Sequence, residues 1–248
     1  MAQHNNILDR YTPGARLNHW INAILMICLV LSGMSLFHPS LFFLSDLFGG
    51  GVWTRIIHPW IGVFAMLSFL GLVLRFWRFN LWNKDDSAWM KNVKYVVAGD
   101  EARVPEAGKY NAGQKLVFWA MCALTILLLA SGLALWDSQL GHLTTIGQKR
   151  LAAVVHALSA VVLIAVVITH VYAAIWIRGT IRGMTRGSVT GGWAWRHHRK
   201  WLREVVGTPA AAGHGGAAGK ALAEQITIPG AGNAPRREPQ RPEKATSP

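Results

Sequence analysis

This sequence predicts an all-α integral membrane protein, a four-helix bundle, and three observations carry the prediction. Four stretches, residues 17–37, 53–74, 116–136 and 151–177, are apolar over the length needed to cross a bilayer, about 20 residues. None of the four contains an Asp or a Glu. The basic residues between them are lopsided: eight Lys and Arg fall in 75–115 and twelve from Arg178 onward, against none in 38–51.

The first span follows a polar N-terminus with no small-residue cleavage site, so it reads as a retained helix rather than a signal peptide. By the positive-inside rule both termini and the 75–115 loop are expected on the cytoplasmic side. Trp20, Trp53, Trp77, Trp136 and Trp176 fall near the span ends, where indole rings settle at the membrane interface. Within the loop, residues 89–98 are expected to form a short interfacial helix. After the last span, residues 191–206 interleave Trp193, Trp195 and Trp201 with His197, His198, Arg199, Lys200 and Arg203, the pattern of a membrane-surface helix. Beyond Gly207 the chain turns to Ala, Gly and Pro with scattered charge and is expected to be a disordered cytoplasmic tail. The organisation is thus a membrane domain over 1–205 and a tail over 206–248.

A net charge of +13 raises the question of nucleic acid. The distribution answers it. The basic residues flank apolar spans instead of covering one folded face, and no nucleic-acid motif is present. Cys28 and Cys122 both lie mid-span and read as small apolar packing residues.

Of ten histidines, four fall inside spans: His19, His58, His156 and His170. Ionisable groups in a membrane are costly and usually face the bundle interior. Their depths match in pairs. His58 follows Trp53 by five residues and His156 follows Leu151 by five, which sets both near the outer edge. His19 precedes Phe37 by 18 and His170 follows Leu151 by 19, which sets both near the inner edge. In the fourth span His156 and His170 are 14 residues apart, about 40° from the same face and about 21 Å along the axis. Two level pairs of imidazoles suit two six-coordinate haem irons, stacked across the membrane. Polar packing would account for one such histidine more readily than for four in register. A metal-ion path would add acidic or thiol ligands, and the spans hold no carboxylate. No C-x-x-C-H occurs, so such haems are non-covalent, b-type. Gly33 and Gly71 lie one rung away from His19 and His58 on their own helices; they either make room for the haem that helix does not ligate or serve ordinary helix contact. His4, His38, His142, His197, His198 and His214 are expected to be ordinary surface residues.

Residues 10–20 (RYTPGARLNHW), the loop motif at 109–115 (KYNAGQK), the Ile-His-Pro entry at 57–59 and the His156/His170 span together resemble the gamma, cytochrome b, subunits of respiratory formate dehydrogenases. The resemblance covers about residues 10–205. It implies two haem b groups, with His58 and His156 on the outer iron and His19 and His170 on the inner. It further implies a periplasmic iron–sulfur subunit as electron donor and, behind it, a molybdenum- or tungsten-containing catalytic subunit. The electron acceptor would be a quinone, menaquinone or ubiquinone, in a bacterial inner membrane. The quinone site carries over onto Asn111, Gly113 and Gln114. Asn111 offers amide donors to a quinone carbonyl and Gly113 permits close approach; the same residues also read as a cap on span three. Arg55, Lys149 and Arg150 either meet haem propionates or anchor span ends. Two other readings stand beside this one: a related cytochrome b serving a nickel–iron hydrogenase or thiosulfate reductase, and a haem-free membrane anchor or transporter.

Overall fold

The structure is a computed structural model that describes residues 7–99 and 103–207. The chain divides into two units, Met1–Leu202 and Arg203–Pro248. Of the expected tail, residues 206–207 are described and helical, and 208–248 lie outside the described residues.

Four long helices make up the first unit: α1 (Pro13–Phe37), α2 (Gly51–Phe76), α5 (Ala112–Leu135) and α7 (Ile146–Trp176). All four are long and apolar enough to span a membrane. α1, α5 and α7 each begin before the predicted edge because their first turns are polar and capped, which a hydropathy window does not register, and the uncapped α2 runs two residues past both of its predicted edges. Thr12 caps α1 through Ala15 N–H, with Pro13 at the first helical position, and Thr145 caps α7 in a reciprocal box with Gln148.

The helices pack as two antiparallel hairpins, α1 along α2 and α5 along α7, with sparser contact between hairpins. Small and hydroxyl residues line the inside. Ala15, Asn22, Ser32, Thr54, Ala65, Ser131, Ala152 and Ser159 are buried, whereas Ile24, Ile27, Phe64, Leu67, Ile126, Val161 and Ile168 point outward. This inversion of a soluble core follows from the solvent. Lipid tails are as apolar as Leu, so helices associate through close backbone approach and polar contacts instead. Asn22 Nδ2 donates to the Ala65 carbonyl and Ser68 Oγ to Asn18 Oδ1, both tying α1 to α2.

The chain termini of the bundle meet at one end, the N-terminal face. Strand β1 (Ile7–Asp9) pairs antiparallel with β2 (Ser188–Thr190), a short sheet the sequence did not announce. The described part of the 75–115 loop lies at this face and holds α3 (Lys84–Lys91) and α4 (Val93–Val97) where one interfacial helix was expected. Past α7 come α8 (Thr180–Arg186), α9 (Gly191–His197) and α10 (Arg199–Gly207). The expected surface helix is therefore broken at His198. Gly187, with φ +81°, turns the chain from α8 into β2, and its carbonyl accepts from both Arg10 and Tyr11 N–H. At the far face, a 3-10 helix (Pro39–Phe48) joins α1 to α2, and a single turn, α6 (Asp137–Leu140), leads from α5 towards α7.

Candidate functional site

The four intramembrane histidines meet across the two hairpins. His58 on α2 faces His156 on α7, and His19 on α1 faces His170 on α7, each pair with ring centroids 6.4 Å apart. Imidazole nitrogens bind first-row metals at about 2 Å. Two rings gripping one iron from opposite sides therefore have centroids roughly 6 Å apart, the spacing seen in both pairs. The pairing read from depth is the pairing in space.

The surroundings of the rings fit the same group. His58 Nδ1 lies 2.7 Å from Ser32 Oγ, and His156 Nδ1 lies 2.9 Å from Ser131 Oγ. In His19, Nδ1 is buried without a hydrogen-bond partner among the described residues. Among the described residues no group of three or more His, Cys, Asp or Glu forms a metal-ion cage. The donor set is two imidazoles per site, which suits a porphyrin iron whose other four ligands come with it.

The glycines sort differently from each other. A Cβ at Gly33 would meet His58 Cε1 at 3.4 Å, so this glycine clears space for the outer ligand. A Cβ at Gly71 would fall 2.7 Å from Asn18 Nδ2, so Gly71 serves the α1–α2 contact. Gly132, which sequence reasoning passed over, sits against His156 Cε1 with 3.2 Å for an added Cβ.

At the N-terminal face, Asn111 caps α5 in a reciprocal box. Asn111 Oδ1 accepts from Gln114 N–H at 2.9 Å, and Gln114 Oε1 accepts from Asn111 N–H at 3.1 Å. Both amides thus spend their oxygens on the backbone, which leaves their NH2 groups as the donors they can offer. The capping and ligand readings are compatible. Gly113 lies under Trp89 of α3, whose Cη2 would be 3.3 Å from an added Cβ. Beside it Lys115 Nζ, buried, pairs with Asp86 at 2.7 Å and donates to the Leu81 carbonyl at 3.0 Å.

A second cluster at this face escaped sequence reasoning. Arg10, 7% exposed, stacks its guanidinium over Trp193 and Trp201 at 4.9 and 4.6 Å and donates to the Lys109 carbonyl. His198, expected at the surface, is 1% exposed. Its Nδ1–H donates to the Gly108 carbonyl at 2.7 Å while Nε2 faces Arg10 at 3.5 Å. Burial and then the Arg10 charge push its pKa down to about 3. Burial raises Tyr110 well above the usual phenol range, and burial beside Arg10 lowers Lys109. The cluster clamps the segment leading into Asn111. Its signal in the sequence, alternating Trp and basic residues, is shared with any membrane-surface helix.

At the far face Lys149 pairs with Asp137, and Arg55 lines a cleft with Ser35, Leu36, His38, Pro39 and Phe42. His38 caps the 3-10 helix by accepting from Ser40 N–H.

Comparison with known proteins agrees with the geometry. The model of the prokaryotic cytochrome b561 family matches residues 10–187. The chain is 42% identical over 203 residues to the cytochrome b556(fdo) subunit of formate dehydrogenase of Escherichia coli, covering 82% of this chain and 95% of that protein. It is 35% identical over 206 residues to the formate dehydrogenase cytochrome b556 subunit of Haemophilus influenzae, covering 83% and 86%. To the nitrate-inducible cytochrome b556(Fdn) subunit of Escherichia coli it is 35% identical over 187 residues, covering 75% and 86%. A multi-pass helical bundle with two facing histidine pairs and these relatives belongs to the prokaryotic cytochrome b561 family.

Proposed function

We propose that the chain is the membrane cytochrome b subunit of a respiratory formate dehydrogenase and holds two haem b groups. His58 and His156 hold the outer iron, and His19 and His170 the inner. The observation that carries the reading is the 6.4 Å spacing of both pairs, each bridging the two hairpins. The relatives named for formate dehydrogenase support formate over a hydrogenase or thiosulfate reductase as the source of electrons. Bound in these sites, the haems supply a one-electron relay from a periplasmic iron–sulfur subunit, itself fed by a molybdenum or tungsten catalytic subunit, to a quinone. An imidazole on each side would leave a haem held here no open position, which would suit electron transfer over oxygen binding.

The protein's share is position and protons. The asymmetry of Lys and Arg orients the N-terminal face to the cytoplasm of a bacterial inner membrane. The Asn111 and Gln114 amide groups donate to a menaquinone or ubiquinone oxygen at that face, where protons are taken up from the cytoplasm. Gly113 and the Trp89 ring shape the wall beside them. Electrons entering outside and protons entering inside make the reaction charge-separating.

Haem quantitation and reduced-minus-oxidised spectra of the purified complex test the reading. The expected result is two b haems per chain, both reduced by formate, with His58→Ala and His19→Ala each removing a different one. A cysteine placed at Ser40 should label from the periplasmic side and one at Lys91 from the cytoplasmic side. A haem count below two, or the reverse labelling, overturns the proposal.

A further inference from the structure

Each histidine of the outer pair is backed by the neighbouring helix of its own hairpin, and the two backings are alike. Ser32–Gly33 on α1 stands behind His58 on α2; Ser131–Gly132 on α5 stands behind His156 on α7. In both, the serine oxygen meets Nδ1 and the glycine meets Cε1 of the same ring. The dipeptides lie in different hairpins 99 residues apart, yet make the same two contacts.

Proton accounting decides what the serines do. Ser32 Oγ is 2.7 Å from the Cys28 carbonyl and Ser131 Oγ is 2.6 Å from the Leu127 carbonyl. A carbonyl oxygen can only accept, so each hydroxyl proton is committed to the helix backbone. The serine oxygen then has lone pairs alone to offer the ring, and Nδ1 must carry the hydrogen. A neutral imidazole protonated at Nδ1 keeps its lone pair on Nε2, the atom available to iron. The glycine lets the ring sit flush against the backing helix. Neither inner histidine shows such a contact: His19 Nδ1 is buried without a partner, and no serine is bonded to His170 among the described hydrogen bonds.

We infer that Ser32–Gly33 and Ser131–Gly132 are matched positioning cradles that fix the tautomer of the outer ligands and strengthen their donation, making the two haem sites electronically unequal. A hydrogen bond from Nδ1–H to an acceptor raises the basicity of the opposite nitrogen, which favours the oxidised iron. The outer site is thereby held at a lower potential than its imidazoles would set unaided. This rests on the two-haem reading above.

The test is a redox titration of the haem α-band, with electron paramagnetic resonance of the ferric haems, on the intact complex carrying Ser32→Ala, Ser131→Ala or Ser131→Thr. In the Ala variants one of the two transitions should move to higher potential while the other stays. The ratio of reduced to oxidised haem at fixed ambient potential should rise about threefold to tenfold, the upper figure being 59 mV for one electron. The ferric signal of the same haem should change with it. Ser131→Thr, which keeps the hydroxyl, should restore both. Unchanged potentials and signals, equal movement of both haems, or a defect that Ser131→Thr does not restore would each overturn the inference. Two haems found in the unsubstituted complex, with no selective shift in the variants, separates failure of the cradles from failure of the two-haem reading.

Discussion

Single side chains in this molecule do work that their types do not advertise. His198 is an imidazole kept neutral by burial and then by the Arg10 guanidinium that its Nε2 faces, against the Gly108 carbonyl bond, which favours the charged form. Its folded pKa lies near 3, below the ordinary 6.5, so the unfolded chain binds the proton more readily. Its contribution to stability is complete above about pH 6.5 and is lost as pH falls towards 3, at about 1.4 kcal/mol per unit within that window. Thermal midpoints of the detergent-solubilised protein should fall between pH 7.5 and 5. His198→Gln should start lower and fall less. A variant with the slope of the unsubstituted protein would mean that another group sets the pH response. The contrast with the span histidines shows what a sequence can display. His19, His58, His156 and His170 stand in apolar runs with no competing carboxylate, so cost alone singles them out. His198 stands among Trp and Arg, where a surface position is the ordinary expectation, and its burial depends on a stack that brings residues 10, 108, 193 and 201 together.

The elements show the same division. Membrane helices are legible because twenty apolar residues have few other uses; their capped first turns are not, since Thr12, Asn111 and Thr145 are polar and precede the hydropathy signal. The serines behind the outer pair were hidden for a related reason. A Ser-Gly step in a transmembrane helix is unremarkable until the partner helix is placed beside it. At the start of α5, the proposed quinone contact falls on a different atom of Asn111 from the cap, and substitution can separate the two. Asn111→Asp keeps the capping oxygen and removes the amide donor, so quinone reduction should weaken, chiefly as a several-fold rise in quinone KM, with thermal stability nearly unchanged. Asn111→Ala removes both and should in addition cost about 1 kcal/mol of helix stability, read as a lower thermal midpoint. Equal quinone kinetics in Asn111→Asp and the unsubstituted protein would assign this residue to capping alone.

For the molecule as a whole, the decisive fact is that both histidine pairs join one hairpin to the other. Direct packing between hairpins is sparse, so haem on this reading is also a structural tie, and binding to the folded form alone adds stability. Protein produced under haem limitation should show a thermal midpoint lower by several degrees and faster proteolysis of the 75–115 loop that links the hairpins, measured against the loaded form. Identical digestion of the two forms would remove haem from the structural account. The remaining ties are unevenly spread. At the N-terminal face lie the β1–β2 sheet, the Arg10 stack, Trp119 Nε1–H on the Asn80 carbonyl and the Lys115–Asp86 pair. Near the far face Trp60 meets Trp136 edge-on at 5.0 Å. The bundle is thus built like a pair of tweezers, riveted where its termini cross and sprung at the tips. Any breathing of the two arms would grow with distance from the rivet, and the His58/His156 rung would take the wider excursion.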